Sequence, residues 1–130
     1  MQIQTGKVTA DINLTESSKK TAVVLSRASA GVIGTVPANK VWRIIALGLS
    51  LQQWDDTDTN DAYIALEGVQ AIVLELYKYV GSHDTISQNI TFDYAACPVL
   101  VATDEVTLGT NTGAGKTFSG FVAYIEEDAP

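Results

Sequence analysis

A chain of 130 residues with a net charge of −7 at pH 7 is long enough for one domain with a core of its own. Its hydrophobic fraction is 46% and its charged fraction 18%, which excludes a disordered chain or a coiled coil. No apolar run reaches the roughly 18–20 residues that cross a bilayer, and the eight Lys and Arg form no basic stripe that could follow a phosphate backbone. Neither a membrane nor a nucleic acid is an expected partner. Met1 to Lys7 has no basic start leading into an apolar stretch, so direct cytoplasmic synthesis is expected. The single cysteine, Cys97, excludes an internal disulfide and a cysteine-based metal cluster, and its apolar setting in Ala-Ala-Cys-Pro-Val-Leu predicts a buried structural thiol.

Val8, Ala10, Ile12 and Leu14 alternate with Thr9, Asp11, Asn13 and Thr15, the period of a strand with one wet face. Glu16 to Lys20 is a polar turn, and Thr21 to Ser26 is a second, apolar strand. Ser29-Ala30-Gly31 turns into Val32 to Val36, and Pro37-Ala38-Asn39 turns again into a long strand. Within that strand Ile45, Leu47, Leu49 and Leu51 alternate with Ala46, Gly48, Ser50 and Gln52. One face is therefore oily and suited to a core, and the other is thinner and wetter.

Between Ala62 and Val80 the apolar residues Ala65, Val69, Ile72, Leu76 and Val80 also fit helical spacing, with Asn60 or Asp61 and Gly81 as candidate caps. Gly68 in the middle and the β-rich composition of Tyr63-Ile64 and Val73 to Val80 favour two strands, Tyr63 to Leu66 and Ala71 to Val80, joined at Glu67-Gly68. Ile86, Gln88, Ile90, Phe92 and Tyr94 then alternate with Ser87, Asn89, Thr91 and Asp93. Val99 to Ala102 follows Pro98, Asp104-Glu105 marks a turn into Val106 to Leu108, and Thr117 to Ile125 is the last strand. Eight to ten short strands separated by turn chemistry predict an all-β fold, an antiparallel β-sandwich or jelly roll of about eight strands. Residues 1–130 form a single domain, with 1–30 as a candidate N-terminal strand extension used in assembly.

Motifs that could carry chemistry are few. Thr112-Gly113-Ala114-Gly115-Lys116-Thr117 resembles a phosphate loop, but the required earlier glycine is Thr110 and a strand pattern follows where a helix must begin. A glycine-rich hairpin loop is the better reading. Asp56, Asp58 and Asn60 occupy the first, third and fifth places of a calcium loop, and Glu67 the twelfth. The sixth place is Asp61 where a glycine is needed, and strands flank the segment, so a polar loop tip is favoured while calcium binding by Asp55 to Asp61 stays open. Trp54 beside these carboxylates suits an interface anchor, a rim residue of the core or a sugar platform. His83, the one histidine, lies in a polar turn beside Asp84 and reads as solvated. Asn13-Leu-Thr15 and Asn89-Ile-Thr91 match the glycosylation pattern, which has meaning only in a secreted chain. No catalytic residue, cofactor or metal is predicted.

The last strand is apolar on both faces: Phe118, Val122 and Tyr124 on one, Phe121, Ala123 and Ile125 on the other. Val41-Trp42 with Ile44-Ile45 shows the same character. Large apolar patches are rare on monomers, so a homo-oligomer, a dimer or trimer, is expected. Trp42, Trp54, Phe118, Phe121 and Tyr124 are the candidate contact residues.

The order of these signals carries a resemblance over about residues 31–127. Val36-Pro-Ala-Asn-Lys leads into Val41-Trp-Arg-Ile; Phe92-Asp-Tyr-Ala-Ala-Cys-Pro-Val-Leu-Val and Gly109-Thr-Asn-Thr-Gly follow, and Gly120-Phe-Val-Ala-Tyr-Ile-Glu-Glu comes last. This order resembles the small jelly-roll decoration or cement proteins of tailed-phage virions. The opening turn departs from the pattern in ending Asn-Lys where glycine is often seen, and Pro98 follows Cys97 rather than the tyrosine directly. The resemblance implies a non-enzymatic virion protein on the capsid surface, whose partners are its own copies and the major capsid protein. The alternative is a receptor- or carbohydrate-binding module of a tail tip or head fibre, motivated by Trp54 and the acidic loop. An enzyme on a cupin-like sheet would need several histidines for its metal, which His83 cannot supply.

Overall fold

The computed structural model describes residues 6–13, 19–53, 60–67, 70–78, 85–111 and 116–130. The larger of two antiparallel sheets contains β1 (Gly6–Asn13), β2 (Lys19–Arg27), β4 (Lys40–Gln53), β7 (Thr85–Thr91), β8 (Val99–Val101) and β10 (Lys116–Asp128). The smaller contains β3 (Gly31–Thr35), β5 (Asn60–Leu66), β6 (Gln70–Lys78) and β9 (Glu105–Gly109). Among the described residues no helix is long and apolar enough to cross a membrane.

The sheet orders are β1-β2-β10-β4-β7 and β3-β9-β5-β6, with β8 also paired to β4. Setting β1 and β8 aside leaves the nested antiparallel pairs β5–β6, β4–β7, β3–β9 and β2–β10. That nesting is what one long hairpin produces when it rolls into two facing sheets, the jelly-roll sandwich. The expected eight strands are therefore the jelly roll itself, and ten strands are present among the described residues because β1 and β8 are additions. β2 lies inside the roll between β1 and β10, so of residues 1–30 only β1 is an added outer strand among the described residues.

The ambiguous 62–80 stretch is a β5–β6 hairpin, Tyr63 pairing with Glu75 and Ile64 with Leu74. Ala62, Ile64 and Leu66 are all fully buried, and this spacing of two outweighs the looser helical spacing because β5 is central in its sheet. Leu47, Leu49 and Leu51 from β4, Val122 from β10, Leu100 from β8 and Val106 and Leu108 from β9 complete the core.

Trp42 and Tyr124 stack in this core with ring centroids 3.8 Å apart and 18° between planes. The Trp42 indole N–H donates to Glu126 Oε1 at 3.0 Å, satisfying its one polar atom. Burial pushes the Tyr124 hydroxyl up to about 12.

A bulge interrupts the β4–β10 ladder: Ala123 pairs with Ala46, but Tyr124 pairs with Ile44, leaving Ile45 as the extra residue. Nearby, β7 leaves the edge of β4 and β8 takes its place, Phe92 N–H donating to the Ile45 carbonyl and Ile44 N–H to that of Pro98, both at 2.9 Å. The intervening Tyr94–Ala96 forms a 3₁₀ turn, not the continued strand that the alternation through Tyr94 predicts. Pro98 holds Cys97 extended and ends that turn.

Tyr94 then packs on a second cluster, Ala22, Ile45, Ala123 and Ile125, on the outer side of the large sheet. The two-sided apolar character of β10 is thus largely satisfied within the chain: Ala123 and Ile125 are buried without a second subunit. Arg43 Nε donates to Glu127 Oε1 at 2.9 Å and lies 4.8 Å from the centre of the Tyr94 ring. The Tyr94 hydroxyl donates to the same carboxylate, and that hydrogen bond pushes its pKa up.

The buried tyrosine sets an alkaline limit. Below pH 10 Tyr124 is neutral in both folded and unfolded chains; above it the unfolded chain loses the proton first, so stability falls as pH rises from 10 towards about 12. The slope attributable to Tyr124 approaches about 1.4 kcal/mol per pH unit. Urea unfolding across this window is expected to flatten in Tyr124→Phe, with Tyr94 supplying a residual slope of the same sign.

Candidate functional site

Beyond the bulge at Ile45 the leucines of β4, Leu47, Leu49 and Leu51, turn inward, so Ala46, Gly48, Ser50 and Gln52 face outward, and antiparallel register aligns them with β10 and β7. The rows across β10, β4 and β7 read Thr117–Gln52–Thr85, Ser119–Ser50–Ser87, Phe121–Gly48–Asn89 and Ala123–Ala46–Thr91. No position in these rows bears a charge. Every polar member is a hydroxyl or amide, able both to donate and to accept.

At one end the face deepens into a cleft of about 360 Å³ lined by Ala28, Ser50, Gln52, Thr85, Thr117, Phe118 and Ser119. Its rotatable hydroxyls and the Gln52 amide suit a neutral, hydrogen-bonding ligand, and none of them titrates near neutral pH. Two residues along each strand, Phe121 leans across Gly48 towards Asn89. A Cβ at Gly48 would lie 1.9 Å from Phe121 Cε2 and 2.6 Å from Asn89 Oδ1, so this ring position depends on the missing side chain.

A separate polar cluster closes one end of the sandwich. Asp61, fully buried at the start of β5, accepts from the Thr110 hydroxyl at 3.0 Å, the Asn111 N–H at 2.8 Å and the Asn111 amide at 3.2 Å. Lys116, its side chain only 5% exposed, lies 4.0 Å from Asp61 Oδ1 and donates to the Asp61 carbonyl at 2.9 Å. Burial lowers the Lys116 pKa, opposed by the Asp61 charge. The structure thus brings together the edges of two motifs, the acidic segment and the loop resembling a phosphate loop. Lys116 opens a strand and is held by Asp61, an arrangement unlike the helix-opening lysine of a phosphate loop.

Asn60 and Glu67, the fifth and twelfth places of the calcium pattern, cannot share one ion. Asn60 and Glu67 bracket β5, about 20 Å apart at strand rise, whereas ligands 2.3–2.6 Å from one ion lie within about 5 Å of each other. Among the described residues no group of three or more His, Cys, Asp or Glu side chains could hold a metal.

Trp54, the Asp55–Thr59 segment, His83 and the 112–115 loop lie outside the described residues. Of the remaining candidate contact residues, Trp42 and Tyr124 are core residues at 2% and 4% exposure and offer no contact surface, because the sandwich encloses their rings. Phe118 packs half-buried against the core. Phe121 is half-buried on the outer face, and Phe118 contributes to the cleft lining. Cys97 is half-buried rather than buried, and its thiol donates to the Tyr94 carbonyl at 3.3 Å. The hydroxyl and amide rows were missed as a site because their members come from three strands. The alternation in β4 and β7 was the available signal.

No family model matches the chain, and no curated protein matches it. Among solved structures it is similar to the Eiger TNF of S. frugiperda, with 12% identity, a TM-score of 0.42, and coverage of 96% of this chain and 87% of that one. It is also similar to the N-terminal cellulose-binding domain of the Cellulomonas fimi β-1,4-glucanase C, with 10% identity, a TM-score of 0.29, and coverage of 97% and 80% respectively.

Asp61→Ala removes the carboxylate beside the buried Lys116 ammonium and is expected to cost about 3–5 kcal/mol in urea unfolding. Lys116→Met, which leaves the Thr110 and Asn111 donors on Asp61, should cost less.

Proposed function

We propose that this protein is a non-enzymatic structural component of a virion, a decoration or cement protein that assembles as a dimer or trimer and binds the major capsid protein on the outer capsid surface. The observation that carries the reading is the strand order. The run of turns and strands over about residues 31–127 that resembles small phage jelly-roll proteins spans β3 to β10 of a jelly roll. Fold alone does not assign function, and the step from fold to capsid is one of analogy.

The physical task of such a protein is to hold neighbouring capsomers together through several modest contacts. Presented in multiple copies, weak contacts add as avidity once geometry lets them engage together. A rigid double sheet serves this purpose, since little conformational entropy is lost on docking. Val101 on β8 and Val32 on β3 are exposed apolar side chains on edge strands of the two sheets and are available for lateral contacts. Since Ala123 and Ile125 are already covered within the chain, self-association in this proposal falls to the sheet edges.

Light scattering of the purified protein, alone and with empty capsids, tests this function. A dimer or trimer that co-sediments with capsids is the expected result. A strictly monomeric protein that leaves the capsids bare contradicts it.

A further inference from the structure

We infer that the outer face of the large sheet, from the cleft beside Ser50 and Ser119 to the Phe121 ring, is a binding site for a neutral saccharide. The site stands on the chemistry of that face and does not depend on the virion proposal.

A sugar presents hydroxyl groups that donate and accept, together with patches of C–H surface. Ser50, Ser119, Gln52 and Thr85 offer groups with the same dual capacity, arranged at strand spacing of about 4.8 Å across the sheet. Phe121, half-buried, adjoins them and supplies apolar surface for C–H contact. The cleft of about 360 Å³ falls at the small end of the range for ligand sites and suits one or two sugar rings.

Other occupants fit less well. An anionic ligand would meet no cation in these rows and would approach a chain of net charge −7. A cationic one would meet no carboxylate there. A second copy of the chain needs a mostly apolar contact centre, and hydroxyls and amides dominate this face. The site is also rigid: β4 and β10 are central strands whose inner residues are locked in the core, so the groups are held in place before binding.

Gly48 sharpens the test, because a methyl group there occupies the space of Phe121 Cε2 and displaces the ring without removing it. The purified protein is first screened on an array of neutral hexose and N-acetylhexosamine oligosaccharides. The strongest binder is then titrated into labelled protein and followed by amide NMR. Expected are saturable shifts at Ser50, Ser119 and Phe121, with affinity lowered about tenfold or more in Gly48→Ala and in the exposed-site variant Gln52→Ala, both retaining the parent's dispersed spectrum. Glu75→Gln, on the other sheet, should bind as the parent does. Absence of binding across the array overturns the inference. So do unchanged affinity in both Gly48→Ala and Gln52→Ala, shifts confined to other surfaces, or a dimer that buries Phe121 and dissociates in Phe121→Ala. Failure of capsid co-sedimentation bears only on the virion reading.

Discussion

The β4–β10 ladder is the constraint on which the rest of the molecule depends. It runs from Lys116 opposite Gln53 to Asp128 opposite Lys40, and β2, β7 and β8 attach to its two sides. Because side chains alternate along both strands on either side of the bulge, fixing this one register decides which residues enter the core. Leu47, Leu49, Leu51 and Val122 face the smaller sheet, and the serine and threonine rows face away. A slip of one residue would exchange the two sets and put hydroxyls where the core requires hydrocarbon. The hydrophobic effect therefore holds the outer face in place, although none of its polar groups contributes to the core.

The bulge at Ile45 changes what the apolar count of β10 means. Inserting one residue lets Ile45 join Ala123 and Ile125 on the outer side, while Trp42 and Tyr124 meet on the inner side. The Tyr94 turn folds over the outer cluster, and Arg43 and Glu127 tie it down. A strand that reads as apolar on both faces is thus covered by its own chain on the inner side and, at Ala123 and Ile125, on the outer side as well. The contact between Arg43 and Glu127 is part-exposed and contributes modestly by itself; its role is geometric, holding Tyr94 over the cluster.

At one end of the sandwich, charge is handled differently. Asp61 and Lys116 are almost fully enclosed, with backbone and side-chain donors converging on the carboxylate. Such a pair adds little net stability over apolar packing, yet losing one partner strands a buried charge. It therefore fixes the position of Asp61 relative to the Thr110–Asn111 turn and of both relative to the start of β10. The uncharged outer face and this charged interior cluster are two uses of polarity, one open to a ligand and one closed to solvent.

The all-β class, the sandwich and the inward Leu47, Leu49 and Leu51 of β4 were legible in the residues, because alternation is a local property that each strand carries in its own sequence; Ile45, read with those leucines, is turned outward by the bulge. The Pro37-Ala38-Asn39 turn was legible too, and Asn39 there takes a positive φ of 63°. Long-range pairing set the rest: Trp42 and Tyr124 are enclosed, Tyr94 leaves its strand, Asn60 and Glu67 bracket a strand, and hydroxyls from three strands line one cleft. Each of these depends on which distant segments pair and in what register. A bulge or an inter-strand neighbour arises from contacts between residues far apart in the chain, and no local period encodes it.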